Sequence, residues 1–481
     1  MEIGQSQRPL HAVAAARGRG ADHDAAGVLP AMRRRAFLQG CCAAALAGAV
    51  PLTTFWRPAA AAGRTSNDVI VYVFLRGGID GLHLVVPYAG VERGHYELLR
   101  DNMAIPESNL RALAGTNWAL HPRAGGGPGD GVGSPPKWLH RLWDEGRLAI
   151  VQGSGMPQHL SRSHFDAQAW IDLGTPGDKS TPDGWLTRYL AAADGLPSAD
   201  IAPVFGFSDT RPMSLMGSTA ALTVASPESF RIDGFHWSWN ETNPDLAGHQ
   251  AAHRRLDALW SGGGASPLLQ AGRDTADALE QMREMDFDGY LPEGGAAYPG
   301  GTLGDQFRSL AQLIKQDMGI VAATVDYGGW DTHAGQGMPQ PGNANHYDYY
   351  GIRVEELSRA LDAFYTDLSA SSQGNLMNRV NVVVLSEFGR KVRPNDAGGT
   401  DHGHGNVMLA LGGRVNGGMH GNFPGLDAGS LFEGQDLATT TDYRQVLAEV
   451  LVRRMGLAPG QLEAVFPEFG SYSPLGVFST A

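Results

Sequence analysis

Four short apolar runs punctuate this chain: Val69 to Phe74 (VIVYVF), Leu148 to Val151 (LAIV), Ile320 to Val325 and Val382 to Leu385 (VVVL). They are rich in β-branched residues and lack the strict alternation of a half-exposed strand, so each reads as a strand buried on both faces. Stretches with helical spacing lie between them, notably Pro136 to Glu145, Leu310 to Met318, Tyr350 to Leu368 and Tyr443 to Met455. In the third, Ile352, Val354, Leu357, Leu361 and Phe364 recur on one face. Met408 to Leu411 adds a further strand. Strands alternating with helices predict an α/β fold, with a mostly parallel central sheet and helices on both faces.

Polar residues gather where these strands end. After Val382–Leu385 come Glu387 and Arg390, then Asp401, His402 and His404 in a glycine-rich stretch; after Ile320–Val325 come Asp331 and His333. Open α/β sheets collect functional groups at the carboxyl ends of their strands. Carboxylates and imidazoles in two such loops are the donors a divalent cation takes. One polar loop would read as surface; two of the same chemistry favour a metal centre. Asp80, in the turn after Val69–Phe74, is either a third such carboxylate or a turn cap, a common role for Asp before Gly. Histidine favours zinc, one ion or two, while the carboxylates leave room for manganese, magnesium or calcium. Ser163 sits as N-cap before a helix opening at His164, with Asp166 placed for a capping box. A strand-loop-helix junction is also where an exposed nucleophile or an anion contact sits.

Residues from about 185 to 300 are the least regular and read as an insertion or cap over the sheet. They hold short β segments at Pro203–Phe207 and Ala221–Ala225, and an aromatic loop, Phe235 to Asn240, whose Trp237 and Trp239 line a pocket or join the core.

The N-terminus changes the picture of composition. Arg34 and Arg35 stand in an R-R-x-F-L pattern, followed by an apolar stretch and by Ala59 to Ala62 as small-residue cleavage positions. The apolar stretch, from Cys41 to Phe55, is interrupted by Pro51 and falls short of the roughly 20 residues a span needs. Residues 1–62 therefore read as an N-terminal extension with a twin-arginine signal, in which Met32 is the expected start, and 63–481 as the mature domain. That domain is expected in the periplasm or outside the cell, carried there by the twin-arginine translocase, with no membrane span. Both cysteines fall within the removed segment, so the mature chain has no thiol chemistry. The segment also carries seven arginines and three acids, leaving 30 basic against 47 acidic residues, a net of −17. Such a balance argues against nucleic acid or an anionic membrane as partner.

Taken together, FLRGGIDGL, SRSHFDAQ, GGWDTH, SEFGR and GTDHGHGN resemble the motifs of exported bacterial proteins grouped as domain-of-unknown-function family 1501, placed in the alkaline phosphatase and sulfatase superfamily. The resemblance runs from about Asp68 to the C-terminus. It implies an alkaline phosphatase-like sheet, and a metal set drawn from Asp80, Asp331, His333, Glu387, Asp401, His402 and His404. It places a nucleophilic hydroxyl within Ser161 to Ser163, with Arg162 or Arg390 steadying a small anionic ester. For Arg390 a local ion pair with Glu387 or Asp396 is the competing role. Glu387 replaces the family's aspartate, and Phe388 stands where a histidine ligand would be, so His404 or Asp401 is expected to supply that donor. With no cysteine in the mature chain, and no serine in an S-x-P-x-R context, formylglycine is excluded. The expected function is an exported metal-dependent hydrolase of phosphate or sulfate esters. The alternative is a noncatalytic exported binding protein that keeps its metal. A redox enzyme fits poorly, since there is no G-x-G-x-x-G after a strand, no haem motif and no cysteine for an iron–sulfur cluster.

Overall fold

The side chains of β1 (Val69–Leu75) divide cleanly between two cores. Val69, Val71, Val73 and Leu75 pack into one apolar cluster; Ile70, Tyr72 and Phe74 pack into the other. A strand whose alternate residues both need burial has to lie inside a two-faced sheet, and that is its place in this computed structural model. The structure describes residues 68–125, 135–193, 203–225, isolated positions between 254 and 287, 289–337 and 348–480. The N-terminal segment with Arg34 and Arg35 and the stretch 235–240 lie outside the described residues.

The central sheet runs in the order β10-β4-β9-β8-β1-β7-β5-β6, with β11 (Thr441–Asp442) also paired to β4. Its other strands are β4 (Leu148–Gly155), β5 (Val204–Phe207), β6 (Ala221–Val224), β7 (Ala322–Tyr327), β8 (Val380–Ser386), β9 (Asn406–Gly412) and β10 (Gly418–Gly421). All described pairings in it are parallel except those of β9, which runs against β8 and β4. Helices Thr302–Lys315 and Tyr349–Ser369 cover one face, and His164–Leu173, Trp185–Ala192 and Tyr443–Arg453 the other. This is the mostly parallel, two-sided sheet that the apolar runs predict. A separate antiparallel pair, β2 (Val85–Pro87) with β3 (Trp118–Leu120), lies apart from it.

One expectation changes. The segments at 203–207 and 221–225 do not lie over the sheet; β5 pairs with β7, and β6 with β5, so they extend its edge. Val204, Phe205 and Phe207 are fully buried there.

Candidate metal centre

Every loop that reaches the centre does so at one edge of the sheet. Asp331 and His333 follow β7, Glu387 follows β8, and β4 leads to His164 in the first turn of its helix. Because β9 is reversed, its beginning brings His402 to the same edge. The approach is sterically tight. Gly77 after β1 has φ of 120°, and a Cβ there would lie 2.6 Å from the Asp331 nitrogen. Only glycine takes that conformation and that contact without strain.

Two buried side chains tie the loops together. The Arg390 guanidinium donates to the carbonyls of Gly77, Gly78, Trp330 and Thr400 and pairs with Asp331 Oδ1 at 2.6 Å. Its partner is therefore Asp331, not Glu387 or Asp396. The Gln336 amide gives Nε2 to Asp80 at 3.0 Å, while its Oε1 accepts the hydroxyls of Thr332 at 3.1 Å and Thr400 at 3.0 Å. Thr332 lies between Asp331 and His333, and Thr400 precedes Asp401.

His164, Asp331 and His402 each place a donor atom within 4.8 Å of the others. Nε2 of His164 lies 3.4 Å from Asp331 Oδ1, and Nε2 of His402 lies 3.2 Å from it. Nε2 of His333 is 3.2 Å from the same oxygen and 2.8 Å from Nε2 of His402. The opposite nitrogens are all spoken for. Nδ1 of His164 meets Glu387 Oε1 at 2.7 Å, Nδ1 of His402 meets the Arg162 carbonyl at 2.7 Å, and Nδ1 of His333 meets Asp401 Oδ1 at 3.2 Å. Ionised carboxylates and carbonyls only accept, so each Nδ1 carries the hydrogen. Three Nε2 atoms and an anionic oxygen then face one another, and in the neutral imidazoles each Nε2 keeps its lone pair. The Nε2 of His164 is buried and makes no hydrogen bond. Such a convergence suits a positive charge, and imidazoles held through Nδ1 are how proteins present metal ligands. The donor set fits a divalent cation.

Neighbouring groups set the charge states at the centre. Burial acts to raise the Asp331 carboxyl, but the Arg390 and His402 contacts prevail and hold it at about 2. The Glu387 hydrogen bond raises His164 above the usual imidazole range, while burial lowers His402. The Phe388 ring packs against His164 at 4.9 Å and His402 at 4.8 Å, filling the floor beneath them.

Of the other expected site residues, Asp80 is turned inward. It forms a fully buried pair with Arg100 at 2.5 and 2.8 Å and accepts the His83 backbone N–H, so it is a charge partner and cap. Burial acts to raise its pKa, and Arg100 overrides this to hold it at about 2. Glu387 stands one layer behind the centre: Oε1 takes His164, Gln168 and the Gly77 N–H, and Oε2 takes Ser386. Asp401 likewise stands behind His333, with Asn395 donating to it at 3.0 Å. His404 stacks on Phe432 at 4.7 Å, apart from the cluster, and burial lowers its pKa. Arg162 sends its side chain to Glu433 and Asp436. Ser163 is the N-cap without a side-chain cap bond; Ser161 Oγ accepts its N–H at 3.1 Å. The expected capping box does not form: Ser163 makes no side-chain cap bond, and Asp166 pairs with Lys179.

Sequence reasoning missed His164. Its signal was present, since it follows the serines at a helix start beyond β4, but that junction was read for its hydroxyls. His164 supplies the imidazole that Phe388 lacks.

Residues 267–466 match the model of a family described as a protein of unknown function, DUF1501, a span that holds Asp331, His333, Glu387, Asp401 and His402. No curated protein matches the chain. Among solved structures, the C-terminal periplasmic domain of EcEptC from Escherichia coli, in complex with zinc, is similar at 9% identity and a TM-score of 0.31, over 84% of this chain and 88% of that one. The PH0037 protein of Pyrococcus horikoshii is similar at 10% identity and a TM-score of 0.24, over 72% and 86%. Likenesses this distant add nothing to the geometry of the site. Among the described residues no helix is long and apolar enough to cross a membrane.

Proposed function

We propose that the chain is an exported metal-dependent hydrolase of phosphate or sulfate esters, with one zinc ion held by His164, Asp331 and His402. The observation that carries the reading is the set of three imidazoles, each tied through Nδ1 and each turning Nε2 toward Asp331 Oδ1. A single ion is favoured because Asp80, Glu387 and His404 are engaged elsewhere. A cation there would act as a Lewis acid on an ester oxygen and acidify a water molecule. Glu387 and the Arg162 carbonyl keep His164 and His402 oriented, and Arg390 keeps Asp331 ionised. His333 and Asp401, both about half exposed, flank the centre on its open side. With Ser161 Oγ engaged by the Ser163 N–H, water is the nucleophile in this reading. Export by the twin-arginine route follows from Arg34 and Arg35. The test is zinc content of protein purified from the periplasm, with turnover measured on a panel of phosphate and sulfate esters. Zinc-free protein, or zinc protein inert on every ester, overturns it.

A noncatalytic metal-keeping protein has an observation of its own. If His333 joins the other three donors, the set becomes three histidines and a carboxylate, a closed tetrahedron of the structural kind. Replacing His333 with Ala separates the two readings. A structural site loses its zinc, whereas an open catalytic site retains it.

A further inference from the structure

We infer that Asp436 is a positioning residue of the metal centre: its ion pair with Arg162 fixes the segment whose carbonyl orients His402 and whose next turn supplies His164. This assignment deepens the reading of His164, Asp331 and His402 as ligands. It rests on that reading for the metal, though not for the orientation of His402.

The helix that opens at His164 lacks the usual side-chain cap, since Ser163 makes no such bond to the first turn. Arg162, two residues before His164, is instead held at both its ends. Its carbonyl accepts the His402 Nδ1 hydrogen at 2.7 Å, while Nη2 of its guanidinium donates to Asp436 at 2.6 Å and to Glu433 at 2.7 Å. The two carboxylates are not equivalent. The Asp436 side chain is fully buried, and that of Glu433 is 49% exposed. An exposed pair contributes little against water, whereas a buried carboxylate that loses its cation is left uncompensated. Asp436 is therefore the partner that fixes Arg162.

Asp436 in turn belongs to the frame that carries His402. Lys391 bridges to Asp436, and Arg390 beside it bridges to His402. The Val392 N–H donates to the Gln435 carbonyl at 3.0 Å, and the Lys391 N–H to the Asp401 carbonyl at 2.9 Å. The pair thus ties the approach of one ligand to the frame of another across 274 residues of chain. Stability alone accounts poorly for it. Oδ1 of Asp436 is buried without a hydrogen-bond partner, and a half-satisfied buried carboxylate is a weak source of stability. What such a pair supplies is a fixed geometry. Asp331 has its own tie to Arg390 at 2.6 Å, so loosening Arg162 disturbs two ligands and spares the third.

The test compares Asp436→Asn with a double variant, Arg162→Met with Asp436→Leu, which strands no charge and so restores stability. Zinc affinity is read by chelator competition, ligand geometry by the absorption spectrum of the cobalt-substituted protein, and fold by melting temperature. Both variants are expected to bind zinc at least about tenfold more weakly and to shift the cobalt spectrum. Glu433→Gln is expected to change affinity by about twofold or less. A purely structural role predicts parental affinity in the double variant, and that result overturns the proposal. The double variant also decides if Asp436→Asn does not fold. In the metal-free protein, ring-nitrogen NMR of labelled histidines reads the His402 tautomer, expected to hold its hydrogen on Nδ1 in the parent and to lose that preference in the double variant. If the parent binds no zinc, the metal reading falls and this spectrum decides alone: an unchanged tautomer overturns the positioning role, and a changed one upholds it.

Discussion

Glu387 holds His164 by a 2.7 Å hydrogen bond across 223 residues of chain, and that bond decides which imidazole nitrogen faces Asp331. A carboxylate behind a ligating histidine fixes its tautomer and strengthens its donor nitrogen, and such partners typically contribute 10–100-fold (order of magnitude) to metal affinity. Glu387→Gln is therefore expected to weaken zinc binding by roughly that factor while the sheet persists. Competition with a chromophoric chelator measures it, beside circular dichroism for the fold. Unchanged zinc affinity would mean that His164 is not a ligand.

Gln336 sits where three loops meet, with Asp80, Thr332 and Thr400 all on one amide. Gln336→Leu keeps the volume but strands the two buried threonine hydroxyls, while Asp80 keeps Arg100. A loss of about 3 kcal/mol is expected, within what unsatisfied buried groups cost. Urea denaturation of the metal-free protein gives the number. A loss under about 1 kcal/mol, the scale of a single ordinary hydrogen bond, would show that the loops hold themselves.

His83 and His121 are fully buried, and burial lowers their pKa values to about 4 and about 3. Below about 6.5, the ordinary imidazole value, the unfolded chain takes up protons that the folded chain refuses. Stability is therefore present above that pH and declines as pH falls toward the folded values, by about 1.4 kcal/mol per pH unit for each histidine. Denaturant titrations from pH 7 to about 4.5, a window within this range, should show the decline, and His121→Phe should shallow it. An unaltered slope in that variant would place the pH dependence elsewhere.

Ser161 and Ser163 are expected to matter for the helix start more than for turnover. Ser163→Ala should cost about 1 kcal/mol or less and leave ester hydrolysis within a small factor of the parent. A loss of several orders of magnitude in either serine variant, with zinc retained, would instead establish a covalent route through that hydroxyl.

Export offers a separate check. Lysine in place of both Arg34 and Arg35 should leave the precursor in the cytoplasm. Undiminished periplasmic protein, read by fractionation and immunoblot, would exclude the twin-arginine route.

The strands were legible because burial on both faces leaves an unbroken β-branched run, as in β1 and β8. Gly206 and the four-residue length of β5 and β6 hid their place at the sheet edge. The reversal of β9 left no trace, since an apolar strand reads alike in both directions. At the centre, Asp331, His333 and His402 stood out through their loops, but the layering of donors did not. Asp80 and Glu387 read as ligands because a sequence shows a carboxylate and not its partner. Arg100 lies 20 residues from Asp80, on a helix with no mark of that pairing. His164 comes to Glu387 from another strand altogether, which no local pattern encodes.

The reversed β9 also brings several residues of the centre close together along the chain. β8 and β9 are antiparallel neighbours, and the excursion between them closes through an Arg390–His402 bridge. Glu387, Arg390, Asp401 and His402 thus lie within one short span of chain, whose closure costs little entropy. His164 has to be delivered by β4 from far upstream, a contact of the slow, non-local kind. The centre is thus drawn from three stretches of chain, with Asp331 after β7 and His164 after β4 both distant from the span that holds Glu387 and His402, and its geometry exists only where those stretches dock.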